Sequence, residues 1–145
     1  MTNIPQQLQN ENYKFCLIQT KEKKPFEKEW QKNGYTYHDL KLLNHLRYNG
    51  NYGVIGGYGR LRILDIDKQN IAEELYSKFD TFTVKTGSRG YHFYFLSDHS
   101  TNIILNSQNQ GHVGELRANN YQVVGPNSVH PNGNIYTIIN NNPIR

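Results

Sequence analysis

Apolar residues along this chain fall mostly into short runs bounded by polar or glycine-containing stretches, the signature of strands joined by turns. "YKFCLIQ" (13–19) reads as a first strand. Thr36 and Asp39 have the spacing of a capping box, and Leu42, Leu43 and Leu46 continue at helical spacing, with Gly50 suited to the stop. "NYGVIGG" (51–57) and "LRILDID" (61–67), split by "YGR", predict a hairpin. Ile71, Leu75 and Phe79 mark a second short helix starting near Asn70. "TFTVK" (81–85) and "YHFYFL" (91–96) are strands joined by "TGSRG". "HVGELRA" and "YQVVG" flank Asn119-Asn120, a dipeptide suited to a tight turn, so a further hairpin is expected there. "NIYTIIN" (134–140) is a last strand. Two helices among many strands give an α+β class. The polar stretch 1–12 is expected to be a flexible N-terminal segment, and 13–145 one domain.

Composition narrows the function classes. A chain of 145 residues has the length of one ordinary domain. Its formal charge of +4 is compatible with a polyanionic partner. The single cysteine, Cys16, excludes an intrachain disulfide and lies in an apolar run, where a buried, inert thiol is expected. No apolar stretch is long enough for a membrane span and no signal-peptide pattern is present, so the expected location is cytoplasmic.

Three segments carry candidate chemistry. In "LDIDKQN" (64–70), Asp65 and Asp67 are two positions apart on a strand and share a face, an unfavourable pairing unless a cation lies between them. In "TGSRGYHFYF" (86–95), backbone N–H groups, the Ser88 hydroxyl and the Arg89 guanidinium suit a phosphate. His92 then faces away from Tyr91, Phe93 and Phe95, and joins the site if those aromatics are core. In "VGELRANNYQVVGPNSVHPNG" (113–133), Glu115 lies in an apolar strand, opposed across the expected hairpin by roughly Val124. Three carboxylates without a cysteine cluster favour Mg²⁺ or Mn²⁺, and no zinc is expected. A phosphate loop beside such a site points to phosphoryl or nucleotidyl transfer. There is no Walker A loop, no GxSxG elbow, and no helix after Gly56, Gly57 and Gly59 to make a dinucleotide fingerprint.

Each element has a plainer reading. An isolated Asp-x-Asp is most often a solvated strand end. Glu115 has surface partners available in Arg117 or Arg62. A histidine in an aromatic strand is usually a packed imidazole, Trp30 a core anchor, and the Lys21–Lys24 run a solvated loop.

The order of the three segments resembles the primase-polymerase branch of the archaeo-eukaryotic primase superfamily, found in replication proteins of plasmids, viruses and mobile elements. "KKPFEKEWQ", "NYGVIGG" and "LDID" are similar to its first motif and flank, "SRGYHFYF" to the second, and "GELRANNYQVVGPNSVHPNG", ending at Tyr136, to the third. The resemblance covers about Lys24 to Tyr136. It implies a sheet of the RNA-recognition-motif (RRM) kind with an additional αβ unit. It also implies a primase/DNA polymerase that adds NTPs or dNTPs to a 3′-hydroxyl on single-stranded DNA template, with a helicase domain or protein as partner. Asp65, Asp67 and Glu115 would carry two metal ions. His92, Ser88, Arg89 and Lys85 would bind the nucleotide. Lys24, Arg117, Ser128 and His130 are further nucleotide or template contacts. Lys21, Lys23, Lys28, Lys32, Arg60 and the tyrosines are candidates for the template strand. The family's third acid is often Asp, so Glu115 is a longer arm, and Arg89 stands where many relatives have glycine. Two alternatives stand beside this reading: a metal-dependent nuclease, and a primase-fold module that binds nucleotide or single strand without initiating.

Overall fold

Alternation of apolar and polar positions organises two antiparallel sheets. The computed structural model describes residues 2–145. In chain order its elements are β1 (Lys14–Ile18), α1 (Leu40–Arg47), β2 (Asn51–Ile55), β3 (Leu61–Ile66), α2 (Gln69–Tyr76), β4 (Thr83–Lys85), β5 (Tyr91–Leu96), β6 (Ile103–Ser107), β7 (Gly111–Arg117), β8 (Gln122–Val124) and β9 (Thr137–Asn140). The smaller sheet has the order β1-β2-β8 and the larger β6-β7-β3-β5-β4-β9. The α+β class read from the sequence is the class observed.

The larger sheet has two different faces. On one, Ile66, Tyr91 and Phe93 are buried against Ala72, Ile71 and Leu75 of α2, with Phe79 and Phe95 completing an edge-to-face aromatic cluster. On the other, Leu61, Ile63, Phe82, Val84 and Tyr94 share the main core with Phe15, Leu17, Tyr52 and Val54 of the smaller sheet and Leu42 and Leu46 of α1. Each such side chain contributes about 1.5–3 kcal/mol through burial. Along β3 this core face runs Leu61, Ile63 and then Asp65. The site therefore begins where the apolar packing of that face ends. Cys16 is buried, and burial pushes its thiol up to about 12, which leaves it unreactive.

Several sequence expectations are corrected. The hairpin expected between 51–57 and 61–67 does not form: β2 pairs with β1 and β8, whereas β3 pairs with β5 and β7. Left-handed backbone at Gly57, Gly59 and Arg60 turns the chain from one sheet into the other. The hairpin across Asn119-Asn120 fails for the same reason, because β7 and β8 belong to different sheets. These two crossings lie side by side: the Gly56 N–H donates to the Tyr121 carbonyl (2.8 Å) and the Asn120 N–H to that of Gly56 (3.0 Å). Glu115 is consequently opposed by Asp65, not by Val124.

Asp39, not Thr36, is the N-cap of α1, and its carboxylate accepts the Thr36 N–H at 2.8 Å. The helix stops at Asn49 (φ 67°), with Gly50 N–H donating to His45 O and Asn49 N–H to Leu46 O, a Schellman closure. The segment expected to be loose is packed: Ile4, and Leu8 at the end of a 3₁₀ turn at Gln6–Leu8, are in the main core. β6 was not foreseen. It pairs with β7 and covers the edge beside Glu115. Among the described residues, no helix is long and apolar enough to cross a membrane.

Candidate active site

Directly opposed residues of antiparallel strands put their side chains on the same face. Asp65 opposes His92 on one side and Glu115 on the other, and Glu115 opposes Ile104. The row Ile104–Glu115–Asp65–His92 thus crosses β6, β7, β3 and β5 without a break. Asp67 follows Asp65 on the same face, and its N–H donates to the Val113 carbonyl (2.8 Å). Glycine at 114 permits the close approach of β7 to β3, since a Cβ there would collide with the Asp65 carbonyl oxygen.

Electrostatics separates the two aspartates. Burial works against the charge of Asp65, but the neighbouring His92, Arg117 and Lys23 more than offset it, so its carboxyl titrates below the ordinary aspartate range. His92 Nε2 lies 3.3 Å from Asp65 Oδ1. Asp67 is shifted the other way, raised by burial and by the charges of Asp65 and Glu115. Glu115 is held by Arg117, with Nη2 2.5 Å from Oε2, and the same nitrogen is 4.0 Å from Asp65 Oδ2. Arg117 also lies over the Tyr121 ring, 5.2 Å from its centroid, while its buried Nε has no partner. Of the two plain partners for Glu115, Arg117 is the one engaged; Arg62 instead donates to the His99 and Leu61 carbonyls.

Above this row is an open cavity of ≈ 320 Å³ lined by Lys23, Asp65, Asp67, Thr86, Ser88, Arg89, His92, Arg117, Gln122, Val123, Val124, His130 and Tyr136. Basic groups and a hydroxyl thus face carboxylates across one space. The structure brings Asp65, Asp67, Ser88, Arg89, His92, Arg117 and His130 together there, from sequence positions 65 to 130. Glu115 opens instead into a neighbouring groove of ≈ 210 Å³ with Asn102, Ile103, Ile104, Leu116, Arg117 and Tyr121. Three other singled-out residues are elsewhere. Lys85 opposes Tyr91 and so takes the α2 face of the sheet. Ser128 is fully buried, its Oγ accepting the Tyr52 N–H at 3.4 Å. Lys23, not Lys24, lines the cavity.

Sequence reasoning missed Thr86, Gln122 and His112. His112 Nδ1 is 3.7 Å from Asp67 and its Nε2 3.8 Å from Glu115. Its signal was present: His112 opens the strand run "HVGELRA", three residues before Glu115. Tyr136, noted only as the end of that segment, packs its ring against both His92 and His130. Burial and the charge of Asp65 push its hydroxyl up to about 12, so it acts as a neutral wall.

The sequence matches the family described as Prim-Pol, bifunctional DNA primase/polymerase, N-terminal, over residues 6–145. The chain belongs to that family. Prim-Pol membership supports a primase/polymerase function in general terms, with DNA and nucleotides as substrates. No curated protein matches the chain.

Proposed function

We propose that this Prim-Pol domain adds nucleotides to a 3′-hydroxyl on single-stranded DNA template, making or extending primers. The observation that carries the reading is the unbroken register Glu115–Asp65–His92, set at the edge of a cavity that also holds Ser88, Arg89 and Lys23. A polymerase needs carboxylates to gather cations and cationic donors to hold a triphosphate, and the two sets meet here.

Among the described residues, no group of three or more His, Cys, Asp or Glu side chains stands ready to hold a metal ion. The donor chemistry nevertheless fits one. Asp65, Asp67 and Glu115 are hard oxygen donors; Asp67 is raised first by burial and then by its acidic neighbours, and a cation placed among them relieves the second part. Arg117 now supplies part of that positive charge, and Glu115 must leave it to join the set. Those three residues would hold Mg²⁺ or Mn²⁺, which supplies a more nucleophilic 3′-hydroxyl and charge stabilisation on the leaving pyrophosphate.

The chain's own residues account for the rest. Arg89, Lys23 and the Ser88 hydroxyl bind and orient the triphosphate. His92, fixed against Asp65 and Tyr136, donates to it from a buried position. Lys23 and Arg117 offset charge that builds up on the transferring group. Single-stranded DNA has to be supplied by an unwinding activity, and a helicase domain or protein is the partner class implied.

One observation favours a second reading, a module that binds nucleotide without transferring it: Glu115 is occupied by Arg117. Primer extension on single-stranded DNA with NTPs or dNTPs, with Mg²⁺ or Mn²⁺, separates the two. Incorporation supports the polymerase; nucleotide binding without incorporation supports the module. Degradation of the strand without nucleotides would indicate a nuclease.

A further inference from the structure

The loop at residues 86–90 is gripped from two sides by parts of the chain far away in sequence. The Gly87 carbonyl accepts from the side-chain amides of both Asn132 (2.8 Å) and Asn134 (2.9 Å). At the other end, the Gly90 N–H donates to Gln69 Oε1 at 2.9 Å. Neither asparagine is buried, yet both amides converge on one carbonyl and use both of its lone pairs. The Asn132 amide orientation follows from its other contact, because its Oδ1 accepts the Asn134 N–H at 2.9 Å, leaving Nδ2 for Gly87.

The turn at residues 130–134 is itself closed. The His130 N–H donates to the Asn134 carbonyl (2.7 Å) and the Gly133 N–H to that of His130 (2.8 Å). The Asn132 N–H donates to His130 Nδ1 at 3.0 Å, so neutral His130 carries its proton on Nε2 as a donor. Gly87 lies so close to this turn that a Cβ would collide with that of His130. Loop and turn are therefore one unit. Among the described residues, the backbone N–H groups of Gly87, Ser88 and Arg89 have no acceptor in the chain. With its carbonyl fixed toward the asparagines, the planar Gly87-Ser88 peptide turns the Ser88 N–H away from them. Successive free N–H groups beside Ser88 and Arg89 make an anion-binding loop.

We propose that Asn132 and Asn134 are positioning residues that hold this loop in shape for the polyphosphate of a nucleoside triphosphate. The proposal rests on the polymerase reading only in taking that polyphosphate as the ligand. Without the two amides the loop is free to reorient, and its donors no longer converge.

The test compares wild type with Asn132→Ala, Asn134→Ala, the double variant and Asn134→Asp, which keeps the shape but sets an oxygen against the Gly87 carbonyl. Inorganic tripolyphosphate binding is measured by calorimetry, single-stranded DNA binding by anisotropy, and nucleotide KM and kcat by primer extension. In the double variant, loss of two neutral hydrogen bonds raises the tripolyphosphate Kd and nucleotide KM about tenfold. Its kcat, DNA affinity and melting temperature stay near wild type. Asn134→Asp loses at least as much as Asn134→Ala, and amide exchange at Thr86 and Gly90, the two bonded N–H groups of the loop, quickens in every variant. An unchanged tripolyphosphate Kd in the double variant overturns the proposal, as does wild type that does not bind tripolyphosphate. If wild type extends no primer but the variants still lose tripolyphosphate binding, the positioning role stands and the polymerase reading fails.

Discussion

Glu115 and Asp65 face each other in direct register across β7 and β3, although 50 positions separate them in the chain. Arg117 reaches both, at 2.5 Å from Glu115 and 4.0 Å from Asp65. Two acids so placed require positive charge, and Arg117 is the guanidinium that reaches both. Arg117→Met should therefore lower the melting temperature of the metal-free protein. The Arg117–Glu115 pair is partly buried, and a loss of about 1 kcal/mol is expected. Mn²⁺ should narrow the gap, since it can replace the lost charge. A thermal melt of both proteins over a Mn²⁺ series checks this. A gap that is constant with Mn²⁺ would place the cation elsewhere.

Asp67 gives a pH signature. Its carboxyl is raised by burial and by Asp65 and Glu115, so its ionised form opposes folding. The sign follows from linkage: a raised acid favours the fold below its unfolded value, near 3.8, and that contribution is lost as pH rises through the folded value. Asp67→Asn should thus melt higher than wild type at neutral pH without metal, with the difference gone once pH falls below the ordinary aspartate range. Melts between acid and neutral pH measure it. The same variant should lose extension activity, which separates a functional acid from a structural one.

His92→Ala should raise the nucleotide KM while leaving single-stranded DNA affinity within about twofold, because the ring lies in the cavity beside Ser88 and Arg89. Truncating a side chain this buried also costs about 1–3 kcal/mol of stability. Kinetics belong at a temperature where melts show the variant folded. A large loss of DNA affinity at unchanged nucleotide KM would assign the imidazole to the template path.

Gly114→Ala should damage both fold and site. The added methyl meets the Asp65 carbonyl oxygen, and β7 must move away from β3 to admit it. A cost of about 1–3 kcal/mol is expected from overpacking against backbone. Extension should fall further than this instability explains, because the same shift separates Glu115 from Asp65. A stable, fully active variant would mean that the Glu115–Asp65 register does not matter.

Much of this site was legible as chemistry and little of it as topology. Asp65, Asp67 and His92 could be placed on one face because strand periodicity is a local property. The aromatic row Tyr91, Phe93 and Phe95 gave the facing of His92, and these residues do pack with α2. Strand partners were not legible. Both expected hairpins failed because "YGR" and Asn119-Asn120 satisfy turn chemistry whether the chain returns beside itself or crosses to a second sheet. Ile4 and Leu8 were hidden in a polar segment, since two apolar residues make no periodic signal. Lys85 was misplaced by proximity to the loop, when its strand parity puts it on the far face.

The central claim is that the acidic row Glu115–Asp65, with Asp67, is a metal-dependent nucleotidyl-transfer centre. Its most direct test is primer extension by Glu115→Gln across Mg²⁺ and Mn²⁺ series, beside wild type and with melts to show that the variant is folded. The account predicts metal-dependent incorporation by wild type, a fall of about 100-fold or more in the variant, and a higher metal requirement for what remains. Extension by Glu115→Gln at the wild-type rate and with the wild-type metal dependence would contradict it, and would reduce Glu115 to the surface partner of Arg117.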